Sequence, residues 1–346
     1  MLRQARCQMR AAVAALLLAG AAARAEEIRI EIARGPLSVR LGAHAVAARG
    51  AQVLLDGEPV ASPLLAGAPV RLDGRELPGR VEIWTENGAL VVVNALDLED
   101  YVAAVVASEV PAGWPAEALR AQAVAARTFA VAQKVAQGPS ARAHLGASML
   151  DQVYKGAAHP ESGALKAAHS TAGEVLTFGS APIAAYFSAS CGGASESGEA
   201  AFHLAPGTTP YLAAGEPDGD AREWTVRVPL AELTEALRER LGGEVRGLTV
   251  TARSASGRAR SVRVEVSSGP RALPAVELRQ LLGYKRLPSL LFDVSMEGGE
   301  AVFRGRGSGH GVGLCQWGAR GRAMRGGTYR EILAHYYPGA ELRRMY

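Results

Sequence analysis

The sequence predicts an α+β protein: a small N-terminal β unit, then a larger mixed α/β domain with a glycine-rich loop near its C-terminus. Three observations predict it. Between Ile28 and Ala95, short apolar-polar alternations are punctuated by Asp-Gly and Asn-Gly pairs, the pattern of half-buried strands and tight turns. From Leu98 the pattern shifts to an alanine-rich sequence with helical spacing. Near the C-terminus, five of the nine residues from Gly305 to Gly313 are glycine, followed by helical sequence. With 346 residues, 48% of them hydrophobic and 21% charged, the chain is an ordinary globular protein with no composition of disorder.

Residues 1–25 read as a secretory signal. Arg3, Arg6 and Arg10 precede an apolar run from Ala11 to Gly20, and Ala23-Arg24-Ala25 supplies a cleavage site. The run is about half the ~20 residues that a membrane span needs, so export with cleavage before Glu26 is expected rather than a stable transmembrane anchor. Cleavage would remove four arginines and no acid, leaving 34 basic residues (38 less those four) against 34 acidic ones. That balance gives no basis for a nucleic-acid partner. Cys7 would leave with the signal, so Cys191 and Cys315 remain in a compartment that permits disulfides. A bridge between them is the first expectation and two thiols the second. A mixed zinc site with His203 or His310 comes third, because two cysteines without a clustered histidine make a poor zinc signature; no metal and no cofactor is expected.

The β unit, residues 26–95, contains strand patterns at Ile28–Ile32, Ser38–Leu41, Gln52–Leu55, Val81–Trp84 and Leu90–Val93. Asp56-Gly57, Asp73-Gly74 and Asn87-Gly88 separate them, the last a hairpin signal. Residues 96–346 form the second domain. Asp97 can cap a helix starting at Leu98, with Asp100 in its first turn and Tyr101, Val102, Val105 and Val106 on one apolar face. Pro111 forbids continuation, which leaves Glu109 in the last turn. There the negative end of the helix dipole disfavours a carboxylate, and Val106, Val110 and Trp114 can exclude water. Both effects push a carboxyl pKa upward, as a general acid requires.

Pro115 suits the first turn of a second helix that runs to Gln137 before Gly138-Pro139. Strands are expected at Val175–Phe178 and Ile183–Phe187 around a turn at 179–182, a helix at Glu232–Leu241, and a hairpin from Leu248–Ala252 and Ser261–Val266. After the glycine loop, a helix is expected from Gln316 to Arg325. Thr328 and Glu331 then make a capping box for a last short helix. The loop spacing gives neither G-x-G-x-x-G nor a Gly-Lys-Ser/Thr ending, so nucleotide binding is excluded. Nothing around Ser188 or Ser190 resembles a G-x-S-x-G elbow, which argues against a hydrolase triad.

Four segments resemble the SpoIID/LytB family: Ser108-Glu109-Val110-Pro111 with Trp114-Pro115 and Arg120 to Thr128; Asp151-Gln152-Val153-Tyr154; Tyr186 to Glu196, around Ser190-Cys191-Gly192-Gly193; and Gly305 to Ala319, around Gly309-His310-Gly311-Val312-Gly313. The resemblance as a whole runs over about residues 94–346. Two positions depart from the family pattern: Ser195 stands for a threonine, and Ser308 stands where many relatives carry an aromatic residue, a loss for which Trp317 could compensate.

The resemblance implies an exported lytic transglycosylase that cuts peptidoglycan glycan strands between N-acetylmuramic acid and N-acetylglucosamine, favouring strands stripped of stem peptides. It implies Glu109 as the catalytic acid/base and Arg127, Gln152, Tyr154, Ser188, His310, Gln316 and Trp317 as substrate contacts, with the glycine loop forming the second wall of the cleft. Inverting and retaining glycosidases need two placed carboxylates. A transglycosylase can work with one, and only one carboxylate so placed, Glu109, is found. The rival reading is a non-catalytic, glycan-binding enhancer of a cell-wall amidase, and such an amidase is the partner that either reading admits. Arg320, Arg322 and Arg325 read as a solvated helix face.

Overall fold

The computed structural model describes residues 26–36, 38–146, 154–159, 162–215 and 222–346. The expected signal and Asp151, Gln152 and Val153 lie outside the described residues. The fold is mixed α and β, as expected. Two sheets build the N-terminal unit. One has the spatial order Leu145–Gly146, Glu27–Gly35, Ala89–Asp97, Arg80–Glu86, Leu64–Ala66; the other runs Glu58–Val60, Gln52–Leu55, His44–Arg49, Ser38–Leu41, Val70–Leu72, Arg75–Leu77. Asn87 and Gly88 both take positive φ and form the two-residue hairpin that their sequence predicts, with Glu86 opposite Ala89. Val46, Val53, Leu72, Ile83 and Val92 fill the core of this unit.

Helix α1 (Leu98–Glu109) follows directly from the strand Ala89–Asp97, and α2 (Ala116–Gln137) follows α1. Ile28, Ile30 and Leu96 of the first sheet share a core with both helices, so the β unit and the helical layer are welded along one face. The alanines of α2 explain its central place. Ala121, Ala123, Ala125, Ala126 and Ala130 are fully buried, and small side chains let α1, α3 (Gly163–Ser170) and the two C-terminal helices pack closely around it. The next helix is the short α4 (Gly198–Phe202).

Between Arg222 and Gly307 the chain leaves this layer and builds a compact subdomain of its own, an insertion that the sequence patterns do not reveal. It holds a sheet of Glu223–Pro229, Glu300–Arg306 and Phe292–Glu297, a second of Val245–Arg253, Ala259–Val266 and Gly269–Pro274, and helices α5 (Leu230–Leu241) and α6 (Ala275–Leu282). Its core includes Leu233, Leu248, Val264, Leu278 and Phe303. The insertion closes on itself: Glu223 pairs with Arg306, and the Gly307 amide donates to the Arg222 carbonyl at 2.8 Å. Helices α7 (Gln316–Met324) and α8 (Tyr329–Tyr336) complete the chain, and α8 carries the expected Thr328/Glu331 capping box.

Two local expectations need correction. Residues 183–186 are not a strand; their backbone curls through bonds from Ala185 to Ile183 and from Tyr186 to Ala184, and only Phe187–Ser188 is extended. The glycine loop begins at Gly307 rather than Gly305, because Gly305 and Arg306 end the strand Glu300–Arg306. Gly305 is glycine because the Trp224 indole lies on it: a Cβ there would sit 2.3 Å from the ring.

Candidate functional site

The Asp97 carboxylate accepts from the Glu99 amide at 2.7 Å and caps α1, and Tyr101, Val102, Val105 and Val106 are buried. Val110 is extended, and its amide closes the helix on the Val106 carbonyl at 3.1 Å. This local stop leaves Glu109, the last residue of α1, half-buried at the surface of the helical layer.

The partner of Glu109 comes from far along the sequence. The Gln316 side-chain amide donates to Glu109 Oε2 at 3.3 Å, and Gln316 itself is only 4% exposed. A ladder of backbone bonds delivers it. Phe187–Ser188 runs parallel to Leu314–Cys315, the Trp317 amide donates to the Ala189 carbonyl, and Ser190 and Ser308 exchange bonds in both directions. The segment from Phe187 to Cys191 is thus a spine with the glycine loop bonded along it. Two loop glycines are obligatory there. Gly313 has φ +66°, and a Cβ on it would meet the Tyr186 carbonyl at 2.1 Å; Gly311 has φ +76°, and its Cβ would meet the Arg258 guanidinium at 2.1 Å.

Aromatic and cationic groups gather beside this pair. The Trp114 and Trp317 rings pack edge to face with centroids 5.1 Å apart. Arg222 stacks over Trp317 at 3.7 Å, and Arg320 lies 5.2 Å from Trp317 and 6.0 Å from Trp114. One carboxylate, a carboxamide, two indoles and two guanidiniums make a surface suited to a polar ring-shaped ligand with acidic groups.

The other expected site residues divide. His310 is half-buried, its Nδ1 accepting from the Val312 amide at 3.0 Å and its other nitrogen bonded to the Phe187 carbonyl. Burial lowers its pKa to about 4, so the ring is neutral, packed against Tyr186 and Phe202. Ser188 is buried with no hydrogen-bond partner for its hydroxyl, beside Gly309. Cys191 and Cys315 are buried thiols on the same ladder, the Cys191 amide lying 3.1 Å from Cys315 Sγ. Among the described residues no cluster of three metal-ligating side chains is found. Tyr154 is half-buried; its hydroxyl donates to Asn94 Oδ1 at 2.6 Å and its ring packs against Tyr101. Gln152 lies outside the described residues.

Arg127, expected to contact substrate, is corrected: it is 0% exposed. Its guanidinium forms a two-point ion pair with Glu99 and donates to the carbonyls of Ala168 and Glu174 and to the Thr171 hydroxyl. It ties α1, α2 and the segment after α3 together, and no face is left for a ligand. Burial works to raise the Glu99 carboxyl, but bonds from Arg127, Tyr346 and the Gly173 amide outweigh it and hold the pKa below the usual range.

Sequence reasoning missed two residues. Arg222 carries no motif signal, since its neighbour Trp317 is 95 positions away. Gln122 lies inside the alanine helix, 1% exposed, with neither amide atom hydrogen-bonded. Glutamine amid alanines was the signal that could have found it, because a buried carboxamide requires partners.

Comparison with known proteins gives two matched profiles and a set of relatives. Residues 86–178 match the profile described as stage II sporulation protein (SpoIID), and residues 213–313 match a domain of unknown function (DUF8618) that coincides with the inserted subdomain. The chain is similar to stage II sporulation protein D of Bacillus amyloliquefaciens, 33% identical over 290 residues, 78% of this chain and 80% of that one. It is similar to the protein of the same name in Bacillus subtilis (strain 168), 32% identical over 266 residues, covering 72% and 75%. An amidase enhancer of the same strain is 29% identical over 289 residues, 69% of this chain and 39% of its own length.

Proposed function

The chain belongs to the SpoIID family, and from that premise we propose that it is an exported peptidoglycan lytic transglycosylase with Glu109 as its single acid/base. The observation that carries the reading is the bond from Gln316, at the end of the glycine loop, to Glu109, with the ring of the next residue, Trp317, packed on Trp114. A protonated Glu109 gives its proton to the glycosidic oxygen between N-acetylmuramic acid and N-acetylglucosamine, and the C1–O bond breaks. The resulting carboxylate then takes the proton of the muramyl C6 hydroxyl as that oxygen closes on C1, leaving a 1,6-anhydro end. No water is consumed, so no second carboxylate is needed to activate one. Gln316 orients the carboxyl, and the two indoles offer apolar faces to the sugar rings. Among the described residues no helix is long and apolar enough to cross a membrane.

The test is mass spectrometry of products from amidase-treated peptidoglycan. Wild-type protein should release anhydro-muramyl ends, and Glu109→Gln should lower turnover by about 100-fold or more. Anhydro products at near wild-type rate from that variant would sink the assignment. The similarity to an amidase enhancer favours a second reading, a glycan-binding partner of an amidase with no cleavage of its own. Under that reading no anhydro ends form, and Glu109→Gln leaves amidase stimulation intact.

A further inference from the structure

The turn that joins Val245–Arg253 to Ala259–Val266, residues 254–258, carries the inserted subdomain onto the helical layer. It is a stiff turn: the Ser254 amide donates to the Arg258 carbonyl at 2.8 Å, and the Gly257 amide donates to the Ser254 carbonyl at 3.0 Å. Arg258 and Glu196 are 4% and 3% exposed and are joined through Ser256. Arg258 donates to the Ser256 hydroxyl at 2.9 Å, and that hydroxyl donates to Glu196 Oε2 at 2.8 Å. The buried cation therefore has its counter-charge within the protein. The rest of its fork goes to backbone, donating to the Cys191 carbonyl at 2.6 Å and to the Ala194 carbonyl at 3.1 Å.

That grip lands on the spine of the candidate site. Cys191 is held by Arg258 at its carbonyl, and its amide lies 3.1 Å from Cys315 Sγ. Cys315 caps α7, its sulfur accepting from the Gly318 amide at 3.4 Å, and the next residue is Gln316. The glycine loop is fixed from the same side: the Glu196 amide donates to the Gly311 carbonyl at 2.8 Å, and the Gly309 amide donates to the Pro288 carbonyl of the insertion at 2.9 Å. A contact that only glued two bodies together would need no fork on two spine carbonyls; a point charge opposite Glu196 would serve. The bond at the far end of the path leaves little margin. At 3.3 Å the Gln316–Glu109 bond is at the long end of the range for N–H···O, so a shift of about half an ångström ends it.

We infer that Arg258 is a positioning residue of the site: through Cys191 and Cys315 it fixes the backbone that aims Gln316 at Glu109. The inference rests on the reading of Glu109 as the acid/base and gives the inserted subdomain a part in setting the rate. Glu109 and Gln316 both belong to the helical layer, so Arg258 adjusts the alignment of a pair that it does not itself join.

Two measurements on the full-length protein test it, one of which needs no turnover. In Arg258→Met with Glu196→Gln, which removes the fork and its counter-charge together, the side-chain amide resonance of Gln316 in 15N-glutamine-labelled protein should move towards that of a free glutamine amide. The kcat for release of anhydro ends should fall by about threefold to tenfold, with KM changed by less than about twofold. In a Gln316→Ala background the same pair of substitutions should cost nothing further, because the group through which Arg258 acts is already gone. Should the pair fail to fold, Arg258→Lys applies the same test: it keeps the charge opposite Glu196 but cannot reproduce the fork on two carbonyls. An unmoved Gln316 resonance, or a loss of kcat that adds in full to that of Gln316→Ala, would overturn the positioning role. A moved resonance in a protein whose wild type makes no anhydro ends would leave the positioning role standing and overturn the catalytic reading alone.

Discussion

At the scale of single residues, local signals were legible and long-range ones were not. Glu109 could be read from its helix, because cap, apolar face and proline stop all lie within fifteen positions of it. Arg127 could not, because its fate depends on Glu99 28 positions before it and on Thr171 and Glu174 more than 40 after it. The buried pair makes a prediction. Arg127→Ala strands the Glu99 carboxylate and should lower stability by about 3–5 kcal/mol in chemical denaturation, while activity per folded molecule is preserved. A selective loss of activity with unchanged stability would return Arg127 to the site. Gln316→Ala should act in the opposite way: kcat falls by about tenfold with the melting temperature nearly unchanged, because the bond lost is partly exposed and serves only to orient Glu109.

At the scale of elements, the capped helices and the Asn-Gly hairpin followed from nearest-neighbour chemistry, whereas the run at 183–186 read as a strand and is not one. Apolar residues there are buried by the C-terminal helices, and burial alone does not distinguish a strand from a curled segment. The glycine loop offers two tests. Gly313→Ala combines a positive φ with a Cβ 2.1 Å from a backbone carbonyl and should cost more than about 2 kcal/mol, visible as a lowered melting temperature. His310 supplies a pH signature. Its pKa is held near 4 in the fold against 6.5 as the reference, so the unfolded chain takes up the proton first as pH falls. The stability from its neutral ring is therefore fully present above about pH 6.5 and is lost progressively towards pH 4. His144, buried beside Arg29 and also lowered to about 4, adds to the same window. Glu99, depressed below 4.5, keeps its contribution through this window and loses it only as the pH falls further. A melting temperature that stays flat from pH 7 to 4.5 would refute the account of both histidines.

At the scale of the whole molecule, the α+β class was legible, but the boundary of the inserted subdomain was not. Its helices lack distinctive caps: α5 and α6 both begin after a proline with no side-chain cap bond. Nothing in the local sequence marks Arg222 and Gly307 as meeting points, since the pairing of Glu223 with Arg306 joins residues 83 positions apart. That closure has a consequence for the gene. An insertion whose two ends are hydrogen-bonded neighbours is a cassette: it can be gained or lost by recombination without shifting the scaffold on either side. Joining Arg222 to Gly307 through a two- or three-residue glycine linker should therefore yield a soluble chain that still folds its helical layer, whereas a cut at residue 96 would tear the strand Ala89–Asp97 from the helix it feeds. In such a shortened chain, whatever the inserted subdomain does and whatever the helical layer does would become separately inheritable traits.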